Sequence, residues 1–582
     1  AMHRWLAATT IGMILTSLGS TCLKASEPDR SEQAQPSPLR IVPDAVTLIG
    51  PDAVQQLAIE RSEDGRDRTS SARFSSSDET VVVVDRSGTI SARGDGNATV
   101  RVEVDGHRME VPVEVHRFLD PPPIHFTNQI VPIFTKLGCN GGGCHGKSGG
   151  QNGFRLSLLG FEPELDYETL VKEGRGRRLF PAAPDQSLLL LKAVAKLPHG
   201  GGQLLSTDSH EYRLIRRWIA EGMPVGDPGA PSVARIEIYP PARVLEQGSD
   251  QQLVVTAVYT DGSTEDVTRW AQYESNVSEI ASVAEGGLVR TSDLPGMAAV
   301  MARYQGQVAV FRATVPRGEP LAGQTEFPTH NYIDELALAQ WNELGLSPSD
   351  LCSDEEFIRR ASLDITGTLP TVSEIDAFVA DPSPDKRARL VDSLLDRPEY
   401  AKVFAVKWAD ILRNKRAGNA RNQRSTYRFY DWIRRQIDQN TPFDEFTRQI
   451  LAASGTPETA PATVWYRDLK QPDQFVDDAA QVFLGMRLQC AKCHHHPFET
   501  WSQDDYYGFA AFFGRVGRKG SLSSQKGGSD ELVIFTKRSG QVANPKTGQP
   551  MQPRGLGEPE PFSVPPSEDP RETLVDWLAQ ES

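Results

Sequence analysis

Residues 73–106, RFSSSDETVVVVDRSGTISARGDGNATVRVEVDG, and residues 272–306, QYESNVSEIASVAEGGLVRTSDLPGMAAVMARYQG, are one pattern written twice. Allowing one inserted residue, Phe74 aligns with Tyr273, Val84 with Val283, Gly88 with Gly287 and Gly106 with Gly306. Repetition at long spacing marks a structural module used more than once. In the first copy Val100, Val102 and Val104 alternate with polar residues, as do Met109, Val111, Val113 and Val115, and Asp105 and Gly106 between the two runs supply a hairpin turn. Ahead of the second copy Leu253, Val255, Ala257 and Tyr259 alternate before another Asp-Gly turn. A period of two turns one apolar face inward on every strand, so two small β-sandwiches are predicted, over 37–117 and 232–316.

Working outward, the texture changes on both sides of the second copy. Over 118–228, Ile130, Val131, Ile133, Phe134 and Leu137 recur on a helical face, as do Leu214, Ile215, Trp218 and Ile219, with Asp208 and Glu211 spaced as a capping box. Over 327–516 the helical period continues through Leu390, Val391, Leu394 and Leu395, and Thr371 and Glu374 form a second capping-box signature. Residues 517–582 are rich in Gly, Pro, Ser and Lys and read as a flexible tail, with ETLVDWLAQES as the start of a truncated further domain. At the other end Arg4, the apolar run from Trp5 and the small residues that follow predict an export signal over 1–25. Cleavage there leaves no membrane span and places the mature chain in the periplasm or at the cell surface.

A chain of 582 residues exceeds one hydrophobic core. Its formal charge of -15 argues against nucleic acid as a partner, because a phosphate backbone needs a basic face.

Only 6 Cys occur, and four of them fall into two similar clusters. LGCNGGGCHGKSGG holds Cys139, Cys144 and His145; LQCAKCHHHPF holds Cys490, Cys493 and His494. Covalent c-type haem needs two thiols for thioether bonds to its vinyl groups and an imidazole beside the second thiol to reach the iron. CAKCH has the standard spacing. CNGGGCH has four residues between its thiols, and its glycines are expected to supply the backbone freedom of a widened loop. By composition a random CxxCH appears in about one in a thousand chains of this length, so coincidence is a poor account. Three other readings compete: a disulfide in each pair, a zinc site using His495 or His496, and a thioredoxin-like redox pair, which the helical DDAAQVFLGMRLQ before Cys490 disfavours.

On the far side of the first iron, His199 lies in the loop before the helix that carries Trp218, and is the sixth-ligand candidate; Met223 is the runner-up. Two imidazoles would give a lower potential than a Met/His pair. For the second iron, Met486, His330 and Met551 are the alternatives.

The stretch that follows CNGGGCHG, SGGQNGFRLSLLGFEPELDYETLVKEGRGRRLFPAAPDQSLLLLKAVAKLPHGGG, resembles the first Planctomycete-type cytochrome c-like domain. DEEFIRRASLDITGTLPTVSEIDAFVADPSPDKRARLVDSLLDRPEYAKVFAVKWADILR, continued through VFLGMRLQCAKCHHHPFETWSQDDYYGFAAFFGRV, resembles the second, a large helical domain of unknown function. Both sandwiches resemble the bacterial Ig-like domain, group 2. The wide first Cys spacing departs from the family pattern, as does the absence of a further domain after DWLAQES. The resemblance implies a multidomain exported protein: two all-β Ig-like sandwiches, one small all-α cytochrome c-like domain between them, and one larger mainly α-helical domain.

Three functions follow as expectations. The first is electron transfer by two covalently bound haem c groups, with an unidentified redox protein as partner and no catalytic residue assigned. The second is a haem enzyme with an open distal site at the second haem, where His496, Glu499, Asp504, Asp505 and Tyr506 are candidate proton donors. The third is a surface scaffold that binds cell-surface polysaccharide, with the Cys-His clusters as staples.

Overall fold

The computed structural model describes residues 38–147, 149–318, 327–415, 420–493, 501–520 and 532–580. The predicted signal segment 1–25 and His494, His495, His496 and Glu499 lie outside these. Among the described residues no helix is long and apolar enough to cross a membrane.

The two repeats fold alike. In the first, Gly96–Val104 pairs antiparallel with His107–His116 and with Arg73–Ser76, and Val46–Ile49 closes the sheet parallel to His107–His116. In the second, Gly296–Tyr304 pairs with Gln307–Val315 and Gln272–Ser275, and Ala242–Val244 runs parallel to Gln307–Val315. Asp105 and Gly106 both have positive φ (52° and 78°), as do Gln305 and Gly306 (46° and 78°), as two-residue primed hairpin turns require. The inward residues are the expected ones: Val100, Val102, Val111, Val113 and Val115 are all at most 1% exposed. Val254 and Val258, on the opposite face from Val255 and Ala257, are buried as well, so Val254–Tyr259 is covered on both sides.

The sandwiches dock on each other through equivalent residues. Asp67 of the first accepts from Gln252 N (2.8 Å) and Gln251 Nε2 (3.1 Å) of the second. Asp266 of the second accepts from Gln56 N (2.9 Å) and Gln55 Nε2 (2.7 Å) of the first. Each aspartate also holds a threonine two residues on, through Thr69 N (2.7 Å) and Thr268 N (2.8 Å). Beside this seam Glu60 accepts from the Tyr239 hydroxyl at 2.6 Å and pairs with Arg243.

The unit between them is less helical than its periodicity predicts. Val131–Lys136, Pro163–Tyr167 and Leu188–Ala193 are single short helices joined by irregular turns, and only His210–Ala220 runs beyond ten residues. The cap of that last helix is Ser209, whose hydroxyl accepts from Tyr212 N, not the Asp208 and Glu211 pair. This unit packs on both sandwiches. Lys136 Nζ donates to Ala271 O at 2.6 Å, Arg269 pairs with Glu211 at 2.9 Å, and Arg217 pairs with Asp52.

From Tyr332 onward the chain is helical, and the Thr371 and Glu374 capping box is formed. The tail departs from the flexible segment expected over 517–582. Val516–Gly520 pairs antiparallel with Leu532–Thr536, and Pro570–Leu578 is a helix whose Leu574 and Val575 are 0% and 1% exposed within the same core as Phe475, Tyr506 and Phe513. Arg571, 1% exposed, ties it down through Asp569, Ser454 Oγ and Ala453 O. Composition misleads there because three apolar residues at helical spacing suffice to dock one short helix.

Candidate functional site

The first cluster is built at the end of the helix Val131–Lys136. Cys139 N donates to Phe134 O (2.8 Å), Cys144 N to Gly141 O (3.0 Å) and His145 N to Cys139 O (3.0 Å), so the loop folds back on itself and brings both thiols beside the imidazole. Glycine is needed here for a different reason from the one the sequence suggests. Gly141, Gly142 and Gly143 take no positive φ, and a Cβ on Gly142 or Gly143 meets nothing closer than 3.9 Å. A Cβ on Gly146, in contrast, would stand 1.9 Å from Asn140 O.

Cys139, Cys144, His145 and His199 line one cavity of about 790 Å³. Phe134, Leu156, Leu170, Leu188, Leu189 and Leu204 supply apolar walls, Arg177, Arg178 and Lys192 supply cationic ones, and among the described residues no carboxylate lines it. In a chain of net charge -15 the charged side chains on this wall are all cationic.

Both imidazoles are oriented alike. His145 Nδ1 lies 3.0 Å from Phe154 O and His199 Nδ1 2.9 Å from Gly202 O. A carbonyl only accepts, so each Nδ1 carries the hydrogen, and in the neutral form of each ring the lone pair falls on Nε2. This is the arrangement that fixes a metal-binding histidine. Burial lowers the His145 pKa, with His199, Arg178 and Lys147 adding to the effect and the Phe154 carbonyl opposing it, so the ring is neutral at pH 7. Burial also pushes the Cys139 thiol up to about 12, with Cys144 as a smaller cause. That keeps it protonated and unreactive toward adventitious oxidants.

The other sequence candidates for this site fall elsewhere. Trp218 is fully buried against Phe126 at 5.3 Å and donates to Pro224 O, away from the cavity lining. Met223 offers its carbonyl to the Tyr167 hydroxyl (2.7 Å) and does not line the cavity.

At the second cluster, Cys490 lies in the 3-10 turn Leu488–Lys492 and Cys493 just after it. Leu488 and Ala491 anchor the turn in the core, and both cysteines are exposed. Both pairs are free thiols. Gln503 Nε2 holds Lys492 O at 2.9 Å. The candidate proton donors nearby have structural partners: Asp504 accepts from Asn544 Nδ2 (2.6 Å), Asp505 caps its helix through Ser502 and pairs with Arg554 (2.9 Å), and Tyr506 donates to Asp477 (2.9 Å). Met486 and Met551 pack against the domain core, and His330 precedes the helix Tyr332–Leu344. Among the described residues no group of three or more His, Cys, Asp or Glu side chains is placed to hold a bare metal ion.

Sequence reasoning missed Phe154, Gly202 and Arg178. The first two act through backbone carbonyls, which leave no residue signature, and an arginine in a polar stretch reads as solvated.

Comparison with known proteins divides the chain. Residues 332–518 match the family described as a protein of unknown function (DUF1549), and residues 37–114 match the bacterial Ig-like domain (group 2). No curated protein matches. Among solved structures, the S-layer protein rSbsC(31-844) aligns at 11% identity and a TM-score of 0.14, over 46% of this chain and 24% of its own. Domains 5-6 of the S-layer protein SbsC align at 12% identity and a TM-score of 0.20, over 48% of this chain and 95% of theirs. The chain thus spans about a quarter of the first of these structures. Its assigned parts are a bacterial Ig-like domain at 37–114 and a DUF1549 domain at 332–518.

Proposed function

We propose that this is an exported multidomain c-type cytochrome-like protein that transfers electrons and carries two covalently bound haem c groups. Cys139 and Cys144 would form the thioethers of the first, with His145 and His199 available to hold its iron; Cys490, Cys493 and His494 would hold the second. The observation that supports the reading is the single cavity that gathers two thiols and two imidazoles, each with Nδ1 held by a carbonyl, within largely apolar walls. Its volume of about 790 Å³ suits an enclosed organic cofactor, for which sites of ~300–1,000 Å³ are usual.

When bound, haem supplies the one-electron chemistry. The chain's own residues do the rest. Phe154 and Gly202 carbonyls hold the two rings in the ligating tautomer. The leucine walls supply apolar contact, and Arg177, Arg178 and Lys192 would offset the charge of carboxylate groups on a bound haem. Iron held by two imidazoles would have a lower potential than iron held by a Met/His pair.

The test is pyridine haemochrome stoichiometry on full-length protein matured with c-type assembly machinery, with mass spectrometry of the two Cys peptides. Two haems per chain are expected. One haem, on the Cys139–Cys144 peptide, restricts the reading to the first site; bare peptide masses at both overturn it.

A further inference from the structure

The tautomer of His145 depends on the Phe154 carbonyl, and that carbonyl belongs to a small turn that must itself be held. Gln151 and Phe154 close the turn by two backbone hydrogen bonds, Gln151 N to Phe154 O (2.8 Å) and Phe154 N to Gln151 O (3.0 Å). Leu156 N then donates to His145 O at 2.9 Å, so turn and imidazole loop lie side by side. One side chain bolts this turn to the rest of the unit. Arg178 donates through Nη2 to Gly153 O (2.8 Å) and through Nη1 to Thr169 O (2.6 Å) and Glu173 O (3.1 Å). Its guanidinium also lies 4.8 Å from the centre of the Phe154 ring, and that ring is 4.5 Å from the His145 ring. A continuous chain of contacts therefore runs from guanidinium to phenyl to a tilted imidazole, and all three residues line the cavity.

We propose that Arg178 is a positioning residue: by clamping Gly153 and Phe154 it fixes His145 in the Nδ1–H tautomer and keeps Nε2 directed to the guest. Its place in redox function rests on the haem reading above; its hold on His145 does not. Three carbonyls on two sides of the unit need a planar fork. Lysine keeps the charge but brings one ammonium, so Arg178→Lys separates geometry from electrostatics.

The first measurement is nitrogen-15 histidine NMR of the full-length chain without haem, with the His145 signal assigned by its loss in His145→Gln. The wild type is expected to show His145 mainly as the Nδ1–H tautomer, with a measurable Nε2–H minority. In Arg178→Lys and Arg178→Gln alike, the ratio of Nδ1–H to Nε2–H should fall about fivefold, which corresponds to the net worth of one neutral hydrogen bond. An unchanged ratio in both variants overturns the proposal even if their melting temperature drops, because a merely structural arginine would lower stability and leave the tautomer alone. The second measurement is the midpoint potential of haem-loaded Arg178→Lys. It should rise, since a less basic imidazole stabilises ferric iron less. An unchanged potential overturns the link from Arg178 to ligand strength. Should no haem attach to the wild type, the function above fails while the NMR result still decides the role of Arg178.

Discussion

At the residue scale the first cluster turns on positions that differ in what they tolerate. Gly146 has no room for a methyl group, whereas Gly143 has open space around its Cβ direction and an ordinary φ. Gly146→Ala is therefore expected to lower stability by about 1–3 kcal/mol, the usual cost of overpacking, with thermal melting as the measure. Gly143→Ala should stay within about 0.5 kcal/mol of wild type. Equal effects from the two would mean that the loop is not built as described. That Cys139, Cys144, His145 and His199 belong together was readable because these are side chains of rare type, and they do line one cavity. The supporting contacts were not, because carbonyl acceptors belong to every residue and only the fold selects which of them faces an imidazole.

At the element scale, strands were easier to read than helices. Alternation found the paired strands of both sandwiches, since a two-residue period survives in runs as short as five residues. In the unit around the cavity Val131–Lys136, Pro163–Tyr167 and Leu188–Ala193 are too short to be stable or to express a 3.6-residue period alone, and only His210–Ala220 is long enough to show it. The C-terminal helix shows the converse failure: ETLVDWLAQES reads as helix, but the Gly- and Pro-rich connection before it hid that it docks on this core instead of opening a further domain. Leu574→Ala, at a position with no exposure, should destabilise the chain by about 2–5 kcal/mol by denaturant titration. A loss under about 0.5 kcal/mol would restore the expectation of a loose tail. Thr371→Ala removes one half of a formed capping box and should cost about 1 kcal/mol by the same titration.

At the scale of the whole molecule, the repeat was visible in sequence but its self-pairing was not. The partners across the seam stand roughly two hundred residues apart, and nothing local distinguishes Asp67 or Asp266 from a surface aspartate. Their surroundings do. Among the described residues neither has an ion-pair partner. Asp250 adds negative charge near Asp67 and is itself paired with Arg290, and Glu60, paired with Arg243, adjoins the same turn. Glu265 faces Asp266, and Tyr273 senses it. Burial is the largest effect on both and exceeds the lowering by their amide donors, which raises Asp67 to about 6 and Asp266 to about 7 from an ordinary 3.8. A carboxyl raised on folding binds its proton more tightly in the folded chain, so the folded state holds more protons than the unfolded one between pH ~4 and ~7. Stability must then fall as pH rises across that interval and level off above it, by up to about 1.4 kcal/mol per pH unit for each group. Melting of full-length protein between pH 5 and 8 should show this slope. Asp67→Asn with Asp266→Asn should be less stable at every pH, because one oxygen cannot serve both sets of N–H donors, yet its slope should be much flatter. A double variant that keeps the wild-type slope would place the titrating groups elsewhere, and the paired sandwiches would then be held together at all pH values alike.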